Sequence, residues 1–127
     1  MRSTSKSSSN LKILYGESDS EVLDLQAVSI QKAGHQVEKA VGRKGVEEAL
    51  NREPFDLVIL GPTLTKNDRH HLPYMVKKAY PETQVLVMHT DGERHPYVDS
   101  SLETGRSIDA LIDAIGSMLA KGAAASR

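Results

Sequence analysis

Cysteine and tryptophan are absent from this 127-residue chain, and aromatic residues make up only 4% of it. The first absence excludes disulfides, thiolate nucleophiles and cysteine-based zinc sites. The scarcity of aromatics argues against a stacking platform for single-stranded nucleic acid. A charge excess is missing too: sixteen Lys+Arg face seventeen Asp+Glu, a formal net charge of -1. No bulk field therefore draws the chain to nucleic acid or to an anionic membrane. Long hydrophobic runs are lacking as well, since Leu57–Leu60 and Val85–Met88 have the length of strands and fall far short of a bilayer span. The opening Met1–Asn10 is polar and serine-rich, without the apolar stretch of a secretory signal. These exclusions leave a soluble, cytoplasmic, single-domain protein as the expectation.

What is present is a 39% hydrophobic content distributed in short, alternating patterns. Residues 1–10 have little to bury against their ordering entropy and are expected to form a disordered tail; 11–121 form the domain, and 122–127 a frayed end. Leu11–Tyr15 is a short apolar run stopping at Gly16. Ser18 and Glu21 have capping-box spacing, with Ser18 as N-cap of a helix. In that helix Val22, Leu25 and Val28 join Leu23, Ala27 and Ile30 in a broad apolar face, ended by Gly34. Gln36–Val41 alternates as a second strand, and Val46, Ala49 and Leu50 mark a second helix that stops before Pro54. The continuous run Phe55–Leu60 suits a central strand buried on both faces. A third helix is predicted within His70–Tyr80, with Pro73 near its first turn, then a strand at Val85–Met88. A last helix follows Ser107, with Ile108, Leu111, Ile112, Ile115 and Leu119 on one face.

Strand–helix alternation with buried strands implies a parallel sheet covered on both sides. Right-handed crossovers in so short a chain favour an α/β, flavodoxin-like, doubly wound sheet of five strands in the order 2-1-3-4-5. Function in such sheets sits where the strands end, here at Gly16–Asp19, Gly61–Thr63 and His89–Asp91.

The segments from Leu11 to Leu23, Lys32 to Val37, Glu47 to Leu50 and Phe55 to Leu60 together resemble a response-regulator receiver domain in order, spacing and element type through Thr90. Receivers hold Mg²⁺ on two acidic residues after the first strand, phosphorylate an aspartate after the third, and add a Ser/Thr after the fourth and a Lys after the fifth. The chemistry is that of a hard cation and a lysine neutralising a transferred phosphoryl group. The resemblance places these roles on Glu17 and Ser18, on Gly61 and on Thr90. Only Glu17 and Thr90 retain suitable side chains; Ser18 is a poor metal ligand and Gly61 has no side chain.

Two of these gaps do not depend on register. No Asp or Glu occurs between Asp56 and Asp68, and no Lys between Lys78 and Lys121. The resemblance also implies a helix between the fourth and fifth strands, yet Asp91–Pro96 has no helical periodicity, so that fourth helix is expected to be missing or reduced to a turn. Val98 and Leu102 are both candidates for the edge strand. Loss of the helix would expose apolar sheet, to be covered by a homodimer, a partner protein or the local loop around Tyr97. The candidate interaction face is Tyr97, Val98, Leu102, Ile108 and Ile112.

The bland readings weigh as follows. Ser18 serves as a helix cap, and Glu17 with Asp19 are carboxylates that are solvated or capping, with weak cation binding as the other reading. His70, His71, His89 and His95 lack a metal-ligand spacing. Gly61–Pro62 forms a turn, and Lys77–Lys78 a solvated helix face. No cofactor and no resident metal are expected. The sequence thus predicts a stand-alone pseudo-receiver in two-component signalling, not an enzyme, acting by protein contact. The alternative is a small-ligand sensor using an emptied strand-end pocket around Glu17, Gly61 and Thr90.

Overall fold

The computed structural model describes residues 11–88, 97–102 and 108–125, with the side chains of the last stretch at 109–118. Five strands, β1 (Lys12–Glu17), β2 (Gln36–Val41), β3 (Leu57–Leu60), β4 (Gln84–Met88) and β5 (Ser100–Leu102), pair in parallel in the order β2-β1-β3-β4-β5. Four helices flank them: α1 (Ser20–Lys32), α2 (Gly42–Arg52), α3 (Lys66–Ala79) and α4 (Ile108–Ala125). This is the flavodoxin-like order expected from the alternation. No helix among the described residues is long and apolar enough to cross a membrane.

Period-two alternation sends successive strand residues to opposite faces. Ile13, Tyr15, Leu57, Ile59, Leu86 and Met88 pack with Leu23, Ala27 and Ile30 of α1 and Leu111, Ile115 and Met118 of α4. Leu14, Val58, Leu60, Val85 and Val87 pack on the other face with Val46, Ala49 and Leu50 of α2 and Leu72 and Val76 of α3. Both faces of β3 are buried, which is why its sequence reads as a continuous apolar run.

Several local expectations are corrected. Leu25 and Val28 are 74% and 48% exposed. Leu25 follows Leu23 by two residues, about 200° around the helix, and so points away from the sheet. Helix α3 begins at Lys66, before His70, because the Thr65 hydroxyl caps it by accepting from the Asp68 N–H at 3.1 Å. Pro73 consequently lies inside α3, buried beside Leu72 and Val76; packing of that face offsets the missing backbone donor. Helix α4 continues to Ala125, past the expected boundary at Lys121, through an alanine-rich end of high helix propensity. Lys77 is not a solvated lysine: its Nζ donates to the Thr83 carbonyl at 2.6 Å and the Asp99 carboxylate at 2.7 Å.

No described residue between β4 and β5 is helical, and Leu102, not Val98, enters the edge strand. The rest of that connection, 89–96, lies outside the described residues, as does the expected cap Ser107. The described part is pinned by Asp99, whose N–H donates to the Val85 carbonyl at 2.9 Å and whose carboxylate accepts from the Val85 N–H at 2.8 Å. Val98 packs on the α2–α3 cluster, and Tyr97 meets Tyr74 edge-on at 5.4 Å. Val85 and Val87 beneath are buried, so local chain covers this part of the sheet.

At the opposite sheet end, the Leu11 N–H donates to His35 Nδ1 at 3.1 Å. That bond requires an unprotonated Nδ1, and burial pushes the imidazole pKa below its ordinary 6.5. Below about pH 6.5 the unfolded chain therefore binds this proton more readily than the folded one. Folding stability is expected to be full above that pH and to decline as pH falls through the lowered folded value. His35→Asn, measured by urea unfolding at a series of pH values, should show a shallower decline; an unchanged pH profile would assign the dependence elsewhere.

Candidate functional site

The strand ends carry one connected polar network, and it begins in β1. Gly16 does not end this strand, which continues through Glu17. A Cβ on Gly16 would come within 2.6 Å of Val46 Cγ2, so glycine here admits α2 against the sheet. Tyr15 and Glu17, two residues apart, share the α1–α4 side. Both are fully buried, Glu17 at 0% exposure.

A buried carboxylate needs donors, and Glu17 has them. The Tyr15 hydroxyl donates to Oε2. The Thr63 N–H and hydroxyl both donate to Oε1, at 3.0 and 2.6 Å. The Thr63 oxygen in turn accepts from the Ser18 and Asp19 N–H groups at 2.8 and 3.0 Å. Burial first, then the hydrogen bond and the charge of Glu17, push the Tyr15 phenol far above its usual pKa. Tyr15 therefore stays protonated and serves only as a donor here. Charge-assisted bonds of this kind are stronger than neutral ones.

The position of that carboxylate explains Gly61. A Cβ built on Gly61 would lie closer than 3.0 Å to Glu17 Cδ and to both carboxylate oxygens. The Gly61 N–H is held by the Gly16 carbonyl at 2.9 Å, which fixes the strand end against β1. Gly61 has no positive φ, unlike Gly34 and Gly42. Gly61 and Pro62 do form the expected turn, closed by the Leu64 N–H donating to the Gly61 carbonyl at 3.3 Å, but with no positive φ the glycine is required by space and not by that turn. The strand-end pocket expected to be empty is filled at Gly61 by Glu17.

Asp19, not Ser18, caps α1: its Oδ1 accepts from Glu21 N–H at 2.9 Å and Val22 N–H at 3.3 Å. Ser18 is exposed and contributes its backbone N–H to Thr63. The helix begins at Ser20, one residue later than expected, so the N-cap position falls on Asp19. Glu17 and Asp19 are thus each engaged internally. Among the described residues no three His, Cys, Asp or Glu side chains are placed to hold a metal ion.

Thr90 lies outside the described residues, with His89, Asp91 and His95. Of the candidate interaction residues, Val98 packs on the α2–α3 side, whereas Leu102 and Ile112 pack on the α1–α4 side. Tyr97 is exposed, and the side chain of Ile108 is outside the described set. Sequence reasoning gave Tyr15 no role and placed Thr63 only within the strand-end segment Gly61–Thr63, without its bond to Glu17. The available signal for Tyr15 was its same-face spacing from Glu17; Thr63, reaching across 46 residues to Glu17, left none.

No protein-family model and no curated protein matches the chain. Solved structures do. A CheY-like response regulator receiver domain protein from Methanospirillum hungatei superposes with TM-score 0.77 at 18% identity, over 87% of this chain and 94% of that one. The receiver domain of the Francisella response regulator 1452 gives 0.75 at 18% identity, over 88% and 98%. NtrX from Brucella abortus in complex with ATP gives 0.75 at 20% identity, over 91% of this chain but 28% of that longer one. At these identities the likeness establishes the fold.

Proposed function

We propose that this chain, which has the receiver fold, is a signalling module of the response-regulator kind that works without aspartyl phosphorylation. It acts in the cytoplasm through contacts with a partner protein or a second copy, and not as an enzyme. One observation carries the reading: the Glu17 carboxylate lies in the space over Gly61, the position that the receiver resemblance gives to the phosphoacceptor. The absence of any acidic residue between Asp56 and Asp68, and of any lysine between Lys78 and Lys121, supports it. A transferred phosphoryl group would find neither an acceptor nor a neutralising ammonium there. The contact face lies at the β5 edge and is carried by exposed Tyr97, flanked by Val98 packed on one side of the sheet and Leu102 and Ile112 packed on the other. A small-ligand sensor is less well supported, because Glu17 takes the space over Gly61 that its pocket would use.

The test is incubation of the whole chain with Mg²⁺ and a small phosphodonor, followed by intact-mass measurement. No stoichiometric phosphoryl adduct is expected. An acid-stable, base-labile adduct at one site per chain would overturn the reading.

A further inference from the structure

Helix α3 differs in charge from the chain as a whole. It carries four Lys and Arg residues against one carboxylate, Asp68, in a protein whose formal net charge is -1. Asp68 is turned towards α2, where the Arg43 guanidinium stands 3.9 Å from it. On the outer side of α3, His71, Tyr74 and Lys78 follow one another at helical spacing and are all exposed. The Tyr74 ring is the centre of this ridge. Lys78 Nζ lies 5.9 Å from its centroid and the His71 ring 6.2 Å. From the β4–β5 connection Tyr97 meets the same ring edge-on at 5.4 Å.

The two tyrosines are 41% and 40% exposed. Among the described residues neither hydroxyl has a hydrogen-bond partner, and Lys78 has no ion-pair partner. The pair is nevertheless held in place. Lys77, next to Lys78, donates to the Asp99 carboxylate at 2.7 Å, and Val98, next to Tyr97, packs on the α2–α3 cluster. The two rings therefore keep their relative position before any ligand arrives, which lowers the ordering cost of binding.

Exposed tyrosines with an apolar body and a donating tip are favoured anchors at protein interfaces. Here they stand beside an ammonium held over a ring and an imidazole. The patch is rich in donors for a carboxylate, and Lys78 repels a cationic ligand. We propose that Tyr74, Tyr97 and Lys78 form the docking patch for an acidic peptide segment of a partner protein. Its carboxylates meet Lys78 and the tyrosine hydroxyls, and its apolar side chains lie against the two rings. The inference rests on the protein-contact reading above and names the partner's chemistry at the Tyr97 face. A peptide fits better than a nucleic acid, because the chain has no net positive charge to draw a phosphate backbone.

The probe is a short blocked peptide alternating Glu and Leu, titrated into the isotopically labelled whole chain and followed by amide resonances. Saturable shifts are expected at Tyr74, Lys78 and Tyr97 and not along α1 on the other side of the sheet. A peptide alternating Lys and Leu should produce none. Lys78→Glu should weaken the Glu peptide by at least about tenfold, and Tyr74→Ala several-fold. Both positions are exposed, so the urea midpoint of Lys78→Glu should match the parent. No saturable shift, an equal response to both peptides, or an affinity unchanged in Lys78→Glu would overturn the proposal. So would tighter binding of an oligothymidylate at these residues. Shifts at Tyr74 and Tyr97 produced only by concentrating the chain itself would place a second copy there, and would overturn it too. Any of these failures leaves the phosphorylation-independent reading to the phosphodonor experiment, which does not involve this patch.

Discussion

Installing an aspartate at position 61 is expected to unfold part of the population and to restore no phosphorylation. The Cβ of Gly61→Asp would fall within 3.0 Å of Glu17 Cδ and both of its oxygens. Overpacking of this kind costs about 1–3 kcal/mol even when only methylenes are added. The new side chain also brings a second carboxylate against a fully buried first one. Like charges at that distance cannot both ionise without further cost. The atoms met are the tip of a side chain that can turn aside, so the loss is that of pulling Glu17 from its bonds to Tyr15 and Thr63, about 1–3 kcal/mol. A urea midpoint well below that of the parent, with an unchanged slope, would report it. A variant as stable as the parent would show that Glu17 is easily displaced. A phosphorylated, stable variant would show that only the missing side chain had silenced the site.

The second large effect is expected from the other partner. Glu17→Ala removes the acceptor used by the Tyr15 hydroxyl and by the Thr63 N–H and hydroxyl. Each buried donor left unpaired costs about 1–3 kcal/mol, and the vacated volume adds a cavity term. Relief from burying a charge offsets part of this. The net loss is expected near 3–5 kcal/mol. Glu17→Gln should cost less, about 1–2 kcal/mol, because its amide oxygen still serves Thr63 and the Tyr15 hydroxyl can turn to accept from its NH₂. If Gln and Ala proved equally costly, the charge rather than the shape of the Glu17 side chain would be the stabilising feature. If both were neutral, the network would contribute nothing to the fold.

The fold was legible because its signals are periodic and local. Leu57–Leu60 reads as a doubly buried strand, and the apolar spacing of Val46, Ala49 and Leu50 reads as one face of a helix, without knowledge of what packs against them. Where a local signal competed with a tertiary one, the tertiary one won. Ser18 has the right spacing for a cap, but Thr63 ties down the Ser18 and Asp19 N–H groups together, the helix starts at Ser20, and Asp19 caps α1. Leu25 matches an apolar helix pattern yet points to solvent, because the pattern was wider than the face the sheet can cover.

The site was half legible. The sequence shows that position 61 has no side chain, and the resemblance to receivers gives that fact its meaning. It does not show where the Glu17 carboxylate goes. Glu17 reads as a solvent-facing residue at a strand end, and its burial depends on Tyr15 and Thr63 arriving from two different segments. An empty pocket and a filled one are identical in sequence, since the difference is the direction taken by one side chain.

That direction is the central claim, and a double-mutant cycle tests it most directly. Gly61→Asp, Glu17→Ala and the combined variant are compared with the parent by urea unfolding. If Glu17 occupies the space over Gly61, removing it makes room for the new side chain, and the double variant should lose less stability than the sum of the two single losses. The coupling should reach at least about 1–3 kcal/mol, as found for residues in contact. Costs that simply add, with no coupling between the two substitutions, would contradict the account.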